Sequence, residues 1–187
     1  ISKDLNIAFE KVLNIDLLEL EDKWHKYLKE NYFLDINDRY YLEDISIPLI
    51  DYNKMEANYT IAPSISNDGS RIAFYSNIDG IMSLYTMDSN CEKCDQKSMK
   101  KILHGEMSAN IEELHILKPK ISWSSDDKKL LISAKSKGED VLFIIHLNKN
   151  NKKERLTFSD NLKSIVQPTW NPVLKNWIAF IGSNDTQ

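Results

Sequence analysis

The sequence predicts a mainly β protein: about two and a half blades of a β-propeller, preceded by an α-helical hairpin. Three observations carry this. Tyr59 to Asp88, YTIAPSISNDGSRIAFYSNIDGIMSLYTMD, reads as three short strands, Ile61 to Ser66, Arg71 to Ser76 and Ile81 to Met87. Asn67-Asp68-Gly69-Ser70 and Asn77-Ile78-Asp79-Gly80 separate them, and Asp and Gly supply the conformations that tight hairpins need. The pattern then returns at Lys118 to Ser133, KPKISWSSDDKKLLIS, and at Gln167 to Ile181, QPTWNPVLKNWIAFI, with Trp123 and Trp170 where the first unit has Ile65. The spacings are 58 and 47 residues, and self-similar units of roughly 40–50 residues built from short strands mark a propeller, whose sheets bury their faces on one another. Finally, Ile1 to Phe33 carries helical, not alternating, periodicity.

In chain order, Leu5, Ala8, Phe9, Val12 and Leu13 recur at helical spacing. Asn14-Ile15 interrupts them. Asp16 reads as an N-cap with Glu19 as its capping-box partner. Leu17, Leu20, Trp24, Tyr27 and Leu28 then form the stripe of a second helix ending near Asn31. Residues 34–58 form a junction, in which Arg39 to Ile50 alternates well enough for one or two strands, and Pro48 favours an edge position. This segment is expected to close the last blade of a ring. Residues 59–187 hold the blades. Lys100 to His104 is expected to be the first blade's outer strand. Ile111 to Ile116 leads into the second unit, where Ile121 to Trp123, Leu130 to Ser133 and Val141 to Leu147 are strands. Asn148 to Glu154 reads as a polar turn and Arg155-Leu156-Thr157 as that blade's outer strand. Ile165 to Trp170 and Trp177 to Ile181 open the third unit.

Composition is that of a folded domain, 42% apolar and 28% charged. A net charge of −4, from 24 basic and 28 acidic residues, gives no electrostatic footprint for nucleic acid. No apolar run approaches the roughly 18 residues of a membrane span. A closed propeller needs at least about four blades, so the chain reads as a piece of something longer, and its first residue, Ile1, carries no news about location.

SNDGSRIAFYSNIDGIMSLYTMD resembles the repeat of the TolB-type, WD40-like propellers: serine-proline-aspartate-glycine, a basic residue, an apolar strand and a second aspartate-glycine turn. The proline slot holds Asn67 in the first unit and Ser125 in the second. Asp127 stands in a glycine slot, and Asn171-Pro172-Val173-Leu174 replaces the third turn. Arg155-Leu156-Thr157 is similar to the closing triplet of such blades. The hairpin AFEKVLNIDLLELEDKWHKYLKENY resembles the closing helices of gluzincin-type zinc peptidase domains (the peptidase MA group), which in some bacterial proteins precede such a propeller. That family's zinc helix, two histidines flanking a glutamate, is not in this sequence.

Candidate sites are few. Cys91 and Cys94 sit in a charged loop, where three states stay open: a loop-tying disulfide, free thiols, and metal or redox work. A zinc site needs about four ligands and no second pair exists. His25, His104, His115 and His146 read as structural or surface residues. Asp68, Asp79, Asp126 and Asp127 read as turn residues bonding their own backbone in preference to calcium ligands, which must converge six to eight oxygens. Ile65, Trp123 and Trp170 share one repeat slot, and a slot that accepts Ile or Trp reads as blade packing more than as a sugar-stacking surface. Trp177 is left unassigned between the two. No nucleophile elbow, phosphate loop or cofactor motif is present.

The resemblance to TolB-like propellers implies a non-catalytic scaffold in the periplasm or cell envelope that binds a protein or peptide partner, a lipoprotein in that family. The alternative is the C-terminal propeller of a secreted or periplasmic zinc peptidase whose catalytic domain lies upstream. A serine peptidase of the prolyl oligopeptidase type would need a hydrolase domain that the sequence does not show. Exposed blade faces and edges further predict pairing with the remainder of a parent chain or self-association.

Overall fold

The computed structural model describes residues 3–32, 45–50, 59–91, 94–105, 110–158 and 162–184. The chain divides into two compact units, Ile1–Ile47 and Pro48–Gln187.

In the first unit, α1 spans Lys3–Leu13 and α2 spans Leu17–Tyr32. Asn14 takes a left-handed conformation, φ 55°, which Asn tolerates better than most residues, and this ends α1. Asp16 caps α2: its Oδ1 accepts the Glu19 N–H at 2.7 Å, satisfying one of the helix's orphan donors. The Lys23–Glu19 pair at 2.7 Å is exposed on the helix surface and contributes only about 0.3–0.5 kcal/mol. The expected stripe is present in α2, but none of its residues is buried among the described residues: Trp24 and Tyr27 stay more than half exposed.

The second unit is built from three antiparallel sheets. Blade 1 has the order β1 (Thr60–Ile65), β2 (Arg71–Ser76), β3 (Ser83–Asp88) and β4 (Lys100–Leu103). Blade 2 pairs β5 (Glu113–Leu114) and β6 (Ile121–Trp123) in tandem with β7 (Lys129–Ser136), followed by β8 (Glu139–His146) and β9 (Lys152–Leu156). Blade 3 is the pair β10 (Ser164–Trp170) and β11 (Ile178–Ser183). The first strands β1, β6 and β10 lie beside one another. This mainly β architecture, with about two and a half blades, is the one the repeats predict.

Alternation assigns each blade two faces. In β7, Leu130 and Ile132 point toward blade 1, and in β8 so do Val141, Phe143 and Ile145; they meet Ala73, Tyr75 and Leu84 in the larger core. Leu131, Leu142 and Ile144 point the other way and meet Ile165, Trp170, Leu156 and Phe180. Blade 2 is therefore covered on both faces, which is why Val141 to Ile145, VLFII, is apolar throughout. Blade 1 turns Phe74, Tyr85 and Met87 outward, where Leu49, Ile50, Cys91, Cys94 and Met99 cover them.

Several expected boundaries shift; β7, for one, runs from Lys129 to Ser136, past the expected Ser133. β9 begins at Lys152, inside the stretch read as a polar turn, because Asn150 and Asn151 adopt positive φ, 51° and 54°, and close the turn early. The third strand of blade 1 begins at Ser83 rather than Ile81. The expected closing strand over 39–50 lies outside the described residues except for 45–50. There, Ile50 makes a parallel bridge to Cys94, whose N–H donates to the Leu49 carbonyl at 2.8 Å.

Candidate functional site

The seam between blades 1 and 2 starts from two equivalent turns. The Ser66 hydroxyl donates to Asp68 at 2.7 Å and accepts the Arg71 N–H at 2.9 Å. The Ser124 hydroxyl does the same with Asp126, 2.7 Å, and the Lys129 N–H, 3.0 Å. Bonds from the Ser66 hydroxyl and from the Ser70 N–H and hydroxyl push the Asp68 carboxyl down to about 2, since hydrogen bonds to a carboxylate favour its charged form. The Ser124 hydroxyl lowers Asp126 likewise. Both residues are turn residues of the expected kind.

Asp127 and Asp79 depart from that expectation. Asp127 stands where the first turn has Gly69, at φ 54°. Its buried carboxylate reaches across to the other blade and accepts the Asn67 N–H at 2.8 Å, the Asn67 side-chain amide at 2.7 Å and the Asp68 N–H at 2.9 Å. The Arg71 guanidinium donates to the Asp127 carbonyl oxygen and lies over the Trp123 ring, 4.8 Å from its centroid. Trp123 Nε1 donates to the Ser64 carbonyl at 2.9 Å. Asp79 pairs with Lys101 and accepts the Tyr85 hydroxyl at 3.1 Å; the Lys101 ammonium holds its carboxyl below the usual range.

The second seam repeats part of this. Lys129 Nζ lies 5.8 Å from the Trp170 centroid, the Trp170 N–H donates to the Ser122 hydroxyl at 2.9 Å, and the Ile165 N–H donates to Asp140 at 3.0 Å. Trp123 and Trp170 are 6% and 7% exposed, whereas Ile65, in the corresponding position of blade 1, is 61% exposed. Trp177 is 66% exposed.

Below the first seam lies a cleft of about 300 Å³, lined by Arg71, Thr86, Asp88, Ser98, Lys100 and Leu147, with Met87 and Ile102 behind them. Asp88 stands opposite Arg71 in the ladder and Lys100 opposite Thr86. Neither Asp88 nor Lys100 makes an ion pair among the described residues. Ser98 is held in place by Asp95, whose Oδ1 accepts its N–H at 3.1 Å and its hydroxyl at 2.9 Å.

Cys91 and Cys94 are joined by a disulfide, Cα to Cα 5.6 Å, in the loop between β3 and β4. Among the histidines, His25 stacks on Trp24. His115 meets Asp140 at 3.2 Å and His146 meets Glu154 at 3.1 Å. Sequence reading missed both pairs because His115, just past β5, meets a residue of β8, and His146 of β8 meets a residue of β9, 25 and 8 residues apart. No group of three or more His, Cys, Asp or Glu side chains is placed to hold a metal among the described residues. No described helix is long and apolar enough to cross a membrane.

No family model matches the chain, and no curated protein matches it. Solved structures do. TolB from Acinetobacter baumannii is similar at 18% identity and a TM-score of 0.50, over 72% of this chain and 28% of that one. A structure from Agrobacterium tumefaciens named for TolB is similar at 17% identity and a TM-score of 0.49, over 67% of this chain and 39% of that one. The chain thus spans well under half the length of either. At such identity the likeness concerns the fold alone, and the fold is a partial β-propeller of the TolB type.

Proposed function

We propose that the chain is a non-catalytic propeller scaffold that binds a protein or peptide partner, and that the cleft beside the first seam holds a short stretch of that partner. The observation that carries this is a single concavity that brings Asp88 and Lys100, neither in an ion pair among the described residues, together with the apolar Leu147 and Ile102. Its volume is at the lower end of small-ligand sites and suits one or two side chains of an extended segment. Lys100 and Arg71 meet carboxylates, Asp88 meets amide or ammonium donors, and Thr86 and Ser98 serve either. Blade 2 holds the Arg71 guanidinium through the Asp127 carbonyl and the Trp123 ring, so this wall of the cleft is preorganised and loses little on binding.

The disulfide and the likeness to TolB both support a place in the bacterial cell envelope, an oxidising compartment, and a lipoprotein is among the partners this location offers. The zinc-peptidase reading of a parent chain rests on the hairpin's resemblance, and the sequence before Ile1 tests it: a helix with two histidines flanking a glutamate would support it.

The test of the cleft is selection of displayed peptides against the chain, followed by titration of the recovered peptides on Lys100→Glu and Leu147→Asp variants. Binding weakened at least tenfold by each variant supports the cleft. Peptides that bind both variants as well as the parent place recognition elsewhere, and recovery of no binder removes the scaffold reading.

A further inference from the structure

Blade 2 contains the two positions that give the cleft its charges, and fills them differently. One turn bond marks the start of the second strand in each blade: the Ser66 N–H donates to the Arg71 carbonyl at 2.8 Å, and the Ser124 N–H to the Lys129 carbonyl at 3.0 Å. From there the ladders run in step. Arg71 stands opposite Asp88, and Lys129 opposite His146; Thr86 stands opposite Lys100, and Ile144 opposite Glu154. Asp88 thus corresponds to His146, and Lys100 to Glu154. Leu84 and Leu142, which share the alternation of these residues, face the following blade in each case.

In both blades the two positions are diagonal neighbours on adjacent strands, about 7–8 Å apart and within reach of long side chains. Blade 2 closes the gap: His146 Nε2 meets the Glu154 carboxylate at 3.1 Å. Blade 1 does not. Asp88 and Lys100 have opposite charges, yet neither makes an ion pair among the described residues, and the cleft of about 300 Å³ opens there, lined by both. Arg71, directly across the ladder from Asp88, does not pair with it either, because blade 2 draws its guanidinium to the Asp127 carbonyl and the Trp123 ring. Closing an exposed pair of this kind contributes little, so holding it open costs little. A partner that fills the cleft meets two separated charges with water partly removed, and there electrostatic complementarity decides specificity.

We propose that the cleft selects an extended peptide segment carrying one basic and one acidic residue two positions apart, the basic group on Asp88 and the acidic group on Lys100. Residues i and i+2 of an extended chain share one side about 7 Å apart, which matches the diagonal. The partner then supplies from outside the compensation that blade 2 makes within itself, and Leu147 and Ile102 take the segment's apolar part. This rests on the reading of the cleft as a peptide site and adds which peptides enter it.

Selection of a displayed random heptapeptide library against the 187-residue chain, followed by titration of the recovered peptides, tests this. The recovered peptides are expected to share a basic and an acidic residue at that spacing beside an apolar one. Asp88→His combined with Lys100→Glu imports the pair of blade 2 and is expected to weaken binding at least tenfold. Asp88→Lys combined with Lys100→Asp keeps both charges but exchanges them, and is expected to recover peptides in which the charge nearest the apolar residue has inverted sign. Both positions are exposed, so each double variant should keep the circular dichroism of the parent. Peptides that Leu147→Asp weakens but that lack the charge pair, that bind the first double variant as tightly as the parent, or whose charge order the exchange leaves unchanged overturn this inference and leave the cleft a peptide site. Peptides indifferent to Leu147→Asp, or no binder at all, remove the cleft reading and this inference together.

Discussion

Replacing Asp127 tests whether the first seam is held by its carboxylate or only by apolar contact. Asp127→Ala removes the acceptor of three hydrogen bonds, from Asn67 N–H, Asn67 Nδ2 and Asp68 N–H. Bonds to a charged group contribute about 1.5–3 kcal/mol each when a buried partner is left behind. Asn67 and Asp68 are exposed, so water re-solvates the abandoned donors, and the net loss should be about 2–3 kcal/mol instead of the sum. Asp127→Gly loses the same bonds but relieves the positive φ of 54°, so it should recover about 0.5–1 kcal/mol over Ala. Asp127→Asn keeps one acceptor oxygen and should lie between the parent and Gly. Urea unfolding followed by tryptophan emission reads this, because Trp123 and Trp170 are buried at the two seams. The expected order is parent, Asn, Gly, Ala. A midpoint for Asp127→Ala equivalent to less than about 0.5 kcal/mol of loss would refute the reasoning, and Gly falling below Ala would show that φ strain is not part of it.

Three further outcomes follow from local geometry. Gly105→Ala places a Cβ 1.7 Å from the Met82 carbonyl oxygen and should cost more than about 3 kcal/mol or prevent folding, whereas Gly138→Ala meets nothing within 4 Å and pays only for φ +76°, about 1 kcal/mol; thermal melts of both variants compare them. Asp68 has its carboxyl depressed from 3.8 to about 2, so its turn bonds stabilise above pH 4 and are lost as pH falls toward 2; Asp68→Asn should flatten that part of an acid unfolding curve, and an unchanged slope would dissociate the turn from acid stability. Reducing the disulfide between Cys91 and Cys94 opens a loop of only four residues, for which chain entropy gives about 2 kcal/mol; hydrogen exchange at the Cys94 amide, bonded to Leu49, should accelerate on reduction while the amides of β7 and β8 stay protected.

Strands and their turns were legible because their signals are local. Asp68 and Gly69 announce one hairpin, Asn77 and Gly80 the next, and Asp16 with Glu19 announces α2. The seams were not, because their partners are distant: Asn67 and Asp127 are 60 residues apart, and Trp123 and Ser64 are 59 apart. The repeat slot was visible at Ile65, Trp123 and Trp170, but not the burial that separates the first from the others, which depends on which blade faces each. The cleft could not be read at all, since Leu147 comes from a different blade than Arg71, Asp88 and Lys100.

The first strand of every blade is irregular, and the other strands are almost free of such breaks. β1 skips register between Ile61 and Ser64, with Ala62 at φ 55°; β10 skips between Val166 and Thr169, with Gln167 at φ 53°. Pro63 and Pro168 lie within those bulges, and in blade 2 the strand is cut into β5 and β6 around Pro119. These are the strands that lie beside one another, each at the edge of its own sheet, and some of their outward backbone groups are already bonded across the seams to side chains, as at Ser64, Ile165 and Trp170. Three straight strands so placed would zip together and fuse the blades into one continuous sheet. A bulge bends the edge, and a proline deletes a donor from it. The irregularities therefore act as insulation: they keep neighbouring blades in side-chain contact while denying them a shared backbone ladder, and substituting Pro63 and Pro168 by valine would be expected to lower the barrier to that mispairing.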